Sequence, residues 1–404
     1  MLSCRGMVLA GIVIGLEFVD ASLAQAQIAY TGVNLASAEF GQTSLPGTYG
    51  VHYTYPTNAE IDYFIGKGMN TFRLPFRWER LQPAANGELN AAEAARVDAF
   101  VNYATSRGAH VILDPHNFAR YYPQPPSAYQ NSTTGVIGGD VPNSVFANFW
   151  SRVADRYKGN SRVIFNLMNE PANLNTDQWV GAANAAIAGI RQTGATNLIM
   201  VPGNRWTGAW TWFNTDSLGR SNAAAMLDIV DPGANFVIEV HQYLDANGSG
   251  TSSTINNNDP MTGVQRLTQF TQWLRDNNRR GFLGEFAVAN SIIGSGPTQI
   301  GDETLVNMLN FIHGNSDVWT GWAWWAGGPW WPGGPGNPGG TPYMFLLDPA
   351  NLGLPNQLDK PAMGVLQPYL VGIPEPGSLI FVAFGGVAVS YVQWRRRRRL
   401  TASD

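Results

Sequence analysis

The sequence predicts an α/β protein built as a single (β/α)8 barrel, or TIM barrel. Eight short β-rich runs alternate with helical patterns from one end of the chain to the other, and several of these runs end on a polar or ionisable residue. An open doubly wound sheet would usually stop at about five to seven strands, whereas this barrel needs eight. The 404 residues, 44% of them hydrophobic and 13% charged, are also enough for one large core.

The strand candidates are short runs rich in aliphatic, β-branched and aromatic residues. In order, they are residues 29–34, 71–75, 110–114, 163–168, 198–202, 236–241, 282–286 and 320–325. Helical patterns between them cover residues 59–67, 91–107, 143–157, 177–192, 261–277 and 303–313. The segment after the fifth strand is the least regular, because residues 222–229 give only a short helix. No linker interrupts residues 27–372, so we expect one domain there.

The first 26 residues are typical of a secretory signal peptide. Arg5 precedes an apolar run over residues 7–16, and the small-residue pattern Ala24-Gln25-Ala26 predicts cleavage after Ala26. The alternative is an N-terminal helix of the folded domain. Cys4 is the one cysteine of the chain and lies in this segment, so the mature protein would carry no thiol.

The other end of the chain, residues 373–404, carries a second export pattern. Pro374-Glu375-Pro376 is followed by an apolar stretch over residues 379–394 and then by five arginines, Arg395 to Arg399. The stretch is slightly shorter than the roughly 17 to 25 residues that span a bilayer, and the basic cluster would keep its end in the cytoplasm. This order resembles the PEP-CTERM sorting tail of Gram-negative bacteria. The resemblance implies a transmembrane helix and an exosortase-type processing enzyme as partner.

A simple tail anchor is the alternative interpretation of this C-terminal segment. In either case we expect an exported protein, secreted or associated with the cell surface and transiently anchored in a membrane. The net charge of −4 gives no broad basic surface, so nucleic acid is not expected as a partner. We expect the protein to be a monomer.

Polar residues follow the predicted strands at the points where the apolar runs stop. They are Arg73, Asp114, His116, Asn169, Glu170, His241, Tyr243, Glu285 and Trp325. In a (β/α)8 barrel these positions gather at the C-terminal mouth, where the chemistry of this fold occurs. A purely structural role would require buried partners for Arg and Glu, which is rare.

Glu170 and Glu285 form the best pair for chemistry, because each ends a strand and the two would face one another across the mouth. Hydrolysis of a glycosidic bond needs an acid that protonates the leaving oxygen and a second carboxylate on the other side of the sugar. Asn169, next to Glu170, suits a hydrogen bond to the sugar 2-hydroxyl. A carboxyl separation of about 5 to 5.5 Å would give retention and roughly 6.5 to 9.5 Å inversion; the predicted outcome is retention.

The two glutamates must differ in protonation. Arg73 and the hydroxyl of Tyr243 are expected to lower the pKa of Glu285 and keep it ionised as the nucleophile. Glu170 has no assigned cation and lies near that negative charge, so it is expected to stay protonated and act as acid, then as base. Asp114 and Glu239 are the runner-up carboxylates. Glu39 and Asp245 lie near expected loops and could contact sugar.

The chain resembles glycoside hydrolase family 5, the cellulase family A, and in particular its endoglucanase branch. The resemblance runs from about Gly32 to Tyr369 through GVNLASAEFG, GMNTFRLPFRWERLQP, VILDPHNFARYY, NLMNEP, VPGNRW, EVHQYLD, GFLGEFA and GWAWWAGGPWW. Family positions fall on Arg73, His116, Asn169, Glu170 (acid/base), His241, Tyr243, Glu285 (nucleophile) and Trp325. The resemblance implies an endo-β-1,4-glucanase acting on cellulose-like or mixed-linkage glucan. A mannanase or xyloglucanase on the same scaffold, and a catalytically silent carbohydrate-binding protein, are the alternatives.

Aromatic side chains near the mouth are candidate sugar platforms, because a pyranose ring stacks its C–H faces on an aromatic plane. Trp325 is the best of them, and Trp206, Trp210, Trp330 and Tyr121 could line further subsites, with packing as the alternative for each. His116 and His241 lack the tight ligand spacing of a zinc site. We therefore expect no catalytic metal and no cofactor.

Overall fold

A closed barrel of eight parallel strands dominates the computed structural model, which describes residues 27–215, 217–294 and 300–373. Each strand pairs with the next in the chain, and the eighth pairs with the first. The strands are β1 (Tyr30–Leu35), β2 (Thr71–Phe76), β3 (His110–Pro115), β4 (Val163–Asn166), β5 (Ile199–Pro202), β6 (Phe236–His241), β7 (Gly281–Phe286) and β8 (Trp319–Gly327). The predicted (β/α)8 barrel is confirmed, and each predicted strand overlaps an observed one.

Helices connect the strands on the outside of the barrel. Those in the described residues are α1 (Asn58–Lys67), α2 (Trp78–Leu81), α3 (Ala91–Ser106), α4 (Asn143–Tyr157), α5 (Thr176–Gln192), α6 (Asn222–Ala225), α7 (Thr262–Asp276), α8 (Ile300–Gly314) and α9 (Pro361–Leu366). Local sequence sets several helix starts: the side chains of Asn90 and Asn175 accept from backbone N–H groups of α3 and α5. The connection after β5 is the four-residue α6 and a 3-10 turn, the short helix that the sequence predicts.

An apolar layer fills the lower barrel and a polar layer lies above it. The apolar layer consists of Ile112, Ile164, Met200, Val237, Phe282 and Ala323, all buried. Because side chains on a strand alternate between its two faces, the inward position two residues further on lies one layer nearer the C-terminal mouth. This places Asp114 above Ile112 and Glu239 above Val237. The strand period therefore brings ionisable groups to the mouth while apolar ones seal the base.

Both ends of the described chain lie at the base of the barrel, opposite the mouth. The amide of Ala29 donates to the carbonyl of Thr320, at the start of β8, at 2.8 Å. The amide of Val371 donates to the hydroxyl of Thr31 at 3.1 Å. Within residues 27–215, 217–294 and 300–373, no helix combines the length and apolar character of a membrane span. The predicted signal peptide, 1–26, and the predicted tail beyond residue 373 lie outside the described residues.

Candidate active site

Glu170 and Glu285 meet at the mouth of the barrel. Glu285 ends β7, and Glu170 follows β4. A carboxylate oxygen of one lies within 4.8 Å of a carboxylate oxygen of the other. The side chain of Glu285 is 4% exposed and that of Glu170 is 17% exposed, so Glu170 presents more of its carboxyl to solvent. This separation falls in the short range that retention requires, well below the roughly 6.5 to 9.5 Å that accommodates a water molecule for inversion.

Two hydrogen-bond donors from other strands hold the carboxyl of Glu285. Nη1 of Arg73, on β2, donates to Oε1 at 2.9 Å, and the hydroxyl of Tyr243, just beyond β6, donates to Oε2 at 2.7 Å. Each oxygen of the carboxyl thus has its own donor. Both partners that the sequence suggested for Glu285 contact it.

The pKa of Glu285 nonetheless lies above its ordinary value, which corrects the expected direction. Burial raises this pKa most, while the positive charges of His241 and Arg73 and the hydrogen bond from Tyr243 lower it. The expected direction took account of the two partners of Glu285. It did not include the loss of hydration of an almost fully buried carboxyl, which raises the pKa. The partners therefore limit a rise in the pKa of Glu285 and do not produce a fall.

Glu170 has a partner that the sequence analysis did not assign to it. Nδ1 of His241 lies 2.7 Å from Oε1 of Glu170, and the same nitrogen lies 3.4 Å from Oε2 of Glu285. Burial raises the pKa of Glu170, His241 lowers it, and the negative charge of Glu285 raises it. The expected direction therefore holds for Glu170, although the statement that it lacks a cationic neighbour was wrong.

The backbone at Glu170 adopts a conformation that a side chain disfavours. Its φ is +43°, in the left-handed region, and Pro171 follows directly. Such residues cost about 1 to 3 kcal/mol and persist where the surrounding structure requires them. The turn aims Glu170 back over the mouth toward His241 and Glu285.

Asn169 and His116 complete a hydrogen-bonded network on the opposite side of the pair. Oδ1 of Asn169 accepts from Nη2 of Arg73 at 2.7 Å, and its Nδ2 lies 3.2 Å from Nε2 of His116. Nδ1 of His116 lies 3.0 Å from Oδ2 of Asp114. Burial lowers the pKa of His116 to about 4, against the opposing effect of Asp114. A neutral His116 that donates from Nδ1 and accepts at Nε2 fits both neighbours, and it leaves the second hydrogen of the Asn169 amide without a partner among the described residues.

Arg73 is held in place by Asn34 and Asp114 as well as by Glu285 and Asn169. Its Nη1 also donates to Oδ1 of Asn34 at 2.7 Å, and its Nη2 lies 3.1 Å from Oδ1 of Asp114. Asn34 is not among the predicted site residues, although its position as a polar residue near the end of β1 is the signal that could have identified it. Asp114, a runner-up catalyst, orients Arg73 and His116.

Four predicted aromatic platforms line cavities at the mouth. Trp325 lines one of about 430 Å³, together with His116 and Trp331. Trp206 and Trp210, which are 39% and 48% exposed, line a second of about 610 Å³. Glu170 also borders this second cavity. Strand order places β8, β1, β2 and β3 on one side of a line from β4 to β7, and β5 and β6 on the other. The first cavity is lined from β8 and from beyond β3, and the second from beyond β6, so the two lie on different sides of the acidic pair.

The cavities adjoin one another and form an extended cleft. The first and second both include Gln130 and Asn131 in their walls. A third, of about 430 Å³, contains Trp330 and shares Phe40 and Trp331 with the first. Trp330 therefore lies further along the cleft than Trp325. Glu39 also lines the first cavity, and burial raises its pKa to about 7.

Tyr121 is not brought to the cleft. It is 6% exposed, its hydroxyl donates to the carbonyl of Gln82 at 2.8 Å, and its ring packs at 4.3 Å from that of Trp78. These contacts correspond to the packing alternative for Tyr121. The carboxylate of Asp245 already accepts hydrogen bonds within its own loop, from the hydroxyl of Ser249 and the amide of Gly250.

Glu170, His241 and Glu285 lie close enough together to be considered as ligands of a metal ion. One ligand atom each of Glu170, His241 and Glu285 lies within 4.8 Å of the others. His241 already contacts Glu170, and Glu285 accepts hydrogen bonds from Arg73 and Tyr243. Because hydrogen bonds account for the positions of all three, we assign them no metal.

Comparisons with known proteins place this geometry in context. The family described as cellulase (glycosyl hydrolase family 5) matches residues 33–328. Endo-beta-1,4-glucanase B of Aspergillus niger is 38% identical over 296 residues, which cover 72% of this chain and 80% of that protein. An endo-beta-1,4-glucanase of Xanthomonas axonopodis pv. citri superposes with a TM-score of 0.75 at 43% identity, over 86% of this chain and 100% of that one. The structure of XacCel5A in complex with cellopentaose superposes with a TM-score of 0.75 at 42% identity, over 85% of this chain and 99% of that one.

Proposed function

Because this chain belongs to glycosyl hydrolase family 5, we propose that it is a retaining endo-β-1,4-glucanase that hydrolyses cellulose-like or mixed-linkage glucans. The observation that carries the proposal is the approach of the Glu170 and Glu285 carboxyls to within 4.8 Å of one another inside an aromatic-lined cleft. The relatives named endo-beta-1,4-glucanase, and the neighbour whose complex contains cellopentaose, support the same substrate class.

In the first half of the reaction, an oxygen of Glu285 attacks the anomeric carbon and forms a covalent glycosyl ester. The bond from that carbon to the leaving glycosidic oxygen breaks, and Glu170 donates its proton to this oxygen. Arg73 and Tyr243 keep Glu285 ionised and aimed until it attacks. The transferred proton leaves Glu170 as a carboxylate, which is the form that the second half needs.

In the second half, Glu170 removes a proton from a water molecule whose oxygen attacks the same carbon. The ester bond to Glu285 breaks and the carboxylate is regenerated, while the sugar leaves with its original anomeric configuration. The second hydrogen of the Asn169 amide bonds the sugar 2-hydroxyl in this mechanism, a contact that strengthens in the transition state. The enzyme returns to its starting protonation state after each cycle.

Endo action follows from a cleft that extends on both sides of the acidic pair. Trp325, Trp331 and Trp330 line its one arm, and Trp206 and Trp210 line the other. A glucan chain can therefore lie across the mouth with sugar units stacked on either side of the bond that is cut. A pocket closed at one end would favour release of units from chain ends.

Assays of the secreted protein on carboxymethyl cellulose, mixed-linkage glucan, mannan and xyloglucan test the proposal. We expect activity on the first two, with viscosity falling faster than reducing ends accumulate, and proton NMR should show the β-anomer as the first product. Preferential hydrolysis of mannan or xyloglucan would overturn the substrate. Initial formation of the α-anomer would overturn the retaining mechanism, and absence of hydrolysis would leave a carbohydrate-binding protein.

The proposal includes export of a mature domain, residues 27–372, by a signal peptide (1–26) and a PEP-CTERM tail (373–404) that an exosortase-type enzyme processes. The base-side position of Ala29 and Val371 supports it, because a membrane anchor following residue 373 would leave the cleft facing away from the membrane. Mass spectrometry of the mature C-terminus tests the tail: retention of Arg395 to Arg399 would exclude processing. One chain contains every group in the mechanism, so we propose a monomer, which light scattering can check.

A further inference from the structure

We infer that Glu239 is a positioning residue for the acid/base step, which holds the imidazole of His241 in the tautomer and orientation that serve Glu170. This inference rests on the proposed function. Glu239 is fully buried and borders none of the cleft cavities described above, whereas Glu170 and His241 both line the largest. It therefore acts on the reaction through His241 and not by contact with the sugar.

The imidazole of His241 bridges two carboxyls through its two nitrogens. Nε2 lies 2.7 Å from Oε1 of Glu239, and Nδ1 lies 2.7 Å from Oε1 of Glu170. His241 is 2% exposed, and the other oxygen of Glu239, Oε2, has no hydrogen-bond partner among the described residues. The contact with His241 is thus the one hydrogen bond of the Glu239 carboxylate in the part of the chain that the structure describes.

The neighbouring strand is shaped to admit this contact. A Cβ atom on Gly284 would lie 1.7 Å from Oε1 of Glu239 and 3.1 Å from Nε2 of His241. Any other residue at position 284 would collide with the pair, and Gly284 directly precedes Glu285. The absence of a side chain at this point on β7 is therefore what lets Glu239 and His241 meet beside the nucleophile.

The contact determines which nitrogen of His241 carries the proton. A neutral imidazole has one N–H and one acceptor nitrogen. A buried carboxylate at Nε2 accepts an N–H there whether the ring is neutral or cationic, so a further proton is shared between Nδ1 and Oε1 of Glu170 across their 2.7 Å contact. Glu170 borders the cleft and can draw on this proton as an acid. If the single N–H of a neutral ring lay on Nδ1 and none lay on Nε2, His241 would have no second proton to share with Glu170.

Other charged groups around His241 set its proton affinity. They come from five strand ends: Arg73 from β2, Asp114 from β3, Glu170 from beyond β4, Tyr243 from beyond β6 and Glu285 from β7. Burial alone would lower the pKa of His241, but the charges of Glu239 and Glu285 and the hydrogen bonds to Glu170 and Glu239 raise it well above its ordinary value. Removal of the Glu239 charge should therefore make the proton shared by His241 and Glu170 leave at lower pH.

Glu239→Gln tests the inference, because the amide keeps the shape of the side chain but loses its charge and can donate to Nε2. We compare kcat/KM on cellotetraose, whose leaving sugar needs a proton, with 2,4-dinitrophenyl β-cellobioside, whose leaving group does not. A general acid contributes about 10²- to 10⁴-fold. We expect a loss of about 10²-fold on cellotetraose, less than about threefold on the aryl substrate, and an alkaline limb shifted to lower pH.

Asp114→Asn is the matched control, because it removes the charge of another fully buried carboxylate near the pair. Asp114 contacts Arg73 and His116 and not His241, so this variant should lose activity on both substrates to a similar degree. Equal losses on the two substrates in Glu239→Gln, or no loss on either, would overturn the inference. Wild-type enzyme inactive on both substrates would instead refute the proposed function.

A measurement on the wild-type enzyme covers the case in which Glu239→Gln does not fold. The chain has five histidines, so ¹⁵N-histidine labelling gives a spectrum that can be assigned with a His241→Asn reference. We expect Nε2 of His241 to remain protonated across about pH 5 to 8, the range over which an ordinary imidazole loses its proton. A neutral imidazole with its proton on Nδ1 would overturn the inference whatever the activity.

Discussion

The hydroxyl of Tyr243 donates to Oε2 of Glu285 at 2.7 Å, while Arg73 occupies the other oxygen of the same carboxyl. Tyr243 therefore stabilises the ionised form of a carboxyl whose burial works in the opposite direction. The proposed nucleophile is kept ionised by contacts from two separate parts of the chain, and each contact can be removed by itself.

Tyr243→Phe should move the acid limb of kcat/KM to higher pH. The pKa of Glu285 already lies above the ordinary 4.5, and loss of a hydrogen bond to a charged group, about 1.5 to 3 kcal/mol, adds about one to two pH units. The check is a pH profile on cellotetraose. Tyr157→Phe removes a similar phenol–carboxylate contact, to Asp98 on the outside of the barrel, and should leave the limb in place. Identical acid limbs in wild type and Tyr243→Phe would refute the role of Tyr243.

Glu285→Gln should lose nearly all turnover, by about 10⁴-fold or more, because an amide cannot form the glycosyl ester. Initial rates on carboxymethyl cellulose measure the loss, and mass spectrometry after treatment with a 2-fluoro cellobioside should place the trapped sugar on Glu285 in the wild type. Glu303→Gln changes an exposed glutamate on α8 and should retain full activity. Unchanged turnover in Glu285→Gln would remove Glu285 as the nucleophile.

Trp206→Ala and Trp210→Ala should weaken substrate binding in the larger cavity. Both rings are well exposed and line it, so each substitution removes a stacking surface for a sugar unit beyond the cut bond on that side of the cleft. We expect KM for cellohexaose to rise about threefold to tenfold per ring, equivalent to about 0.5 to 1.5 kcal/mol, with a smaller change for shorter oligomers. Phe213, 44% exposed and outside the cavities described above, supplies the control Phe213→Ala. Equal KM values in all variants would contradict this subsite.

Asp348→Asn should flatten the dependence of stability on pH. Burial raises the pKa of Asp348 from 3.8 to about 6 and raises that of its hydrogen-bonded neighbour Glu60 as well. A carboxyl with a raised folded-state pKa is most stabilising when protonated, so the free energy of unfolding falls as the pH rises from about 4 to 6. The shift corresponds to roughly 2 to 3 kcal/mol.

The asparagine can still accept from the amide of Gly328, which donates to Asp348 at 2.7 Å, and it has no proton to release. Urea unfolding at pH 4 and at pH 7 measures the difference. We expect the wild type to lose more stability than Asp348→Asn between these two values. Parallel losses in both proteins would show that Asp348 does not titrate in this range.

Much of the fold could be predicted from the sequence because its signals are local. Each strand is marked by its composition, by alternation of period two and by the polar residue at its end, and all three signals lie within a few consecutive residues. These signals were sufficient to predict eight strands and the polar residues at the mouth of the barrel. The family resemblance drew on the same segments, and the match over residues 33–328 bears it out. Asn34 obeyed the same strand-end rule and was nevertheless not singled out.

The burial of individual side chains and the contacts between distant residues depend on the closed barrel and could not be predicted from the sequence. Nothing near Tyr121 in the chain shows that its hydroxyl meets Gln82. Glu239, a runner-up catalytic carboxylate by sequence, instead contacts His241 at a point where Gly284 leaves room for it. The pKa of Glu285 depends on the water that it loses as well as on its partners. The residue types and their strand positions are properties of the sequence, whereas hydration and pairing depend on which distant strands become neighbours.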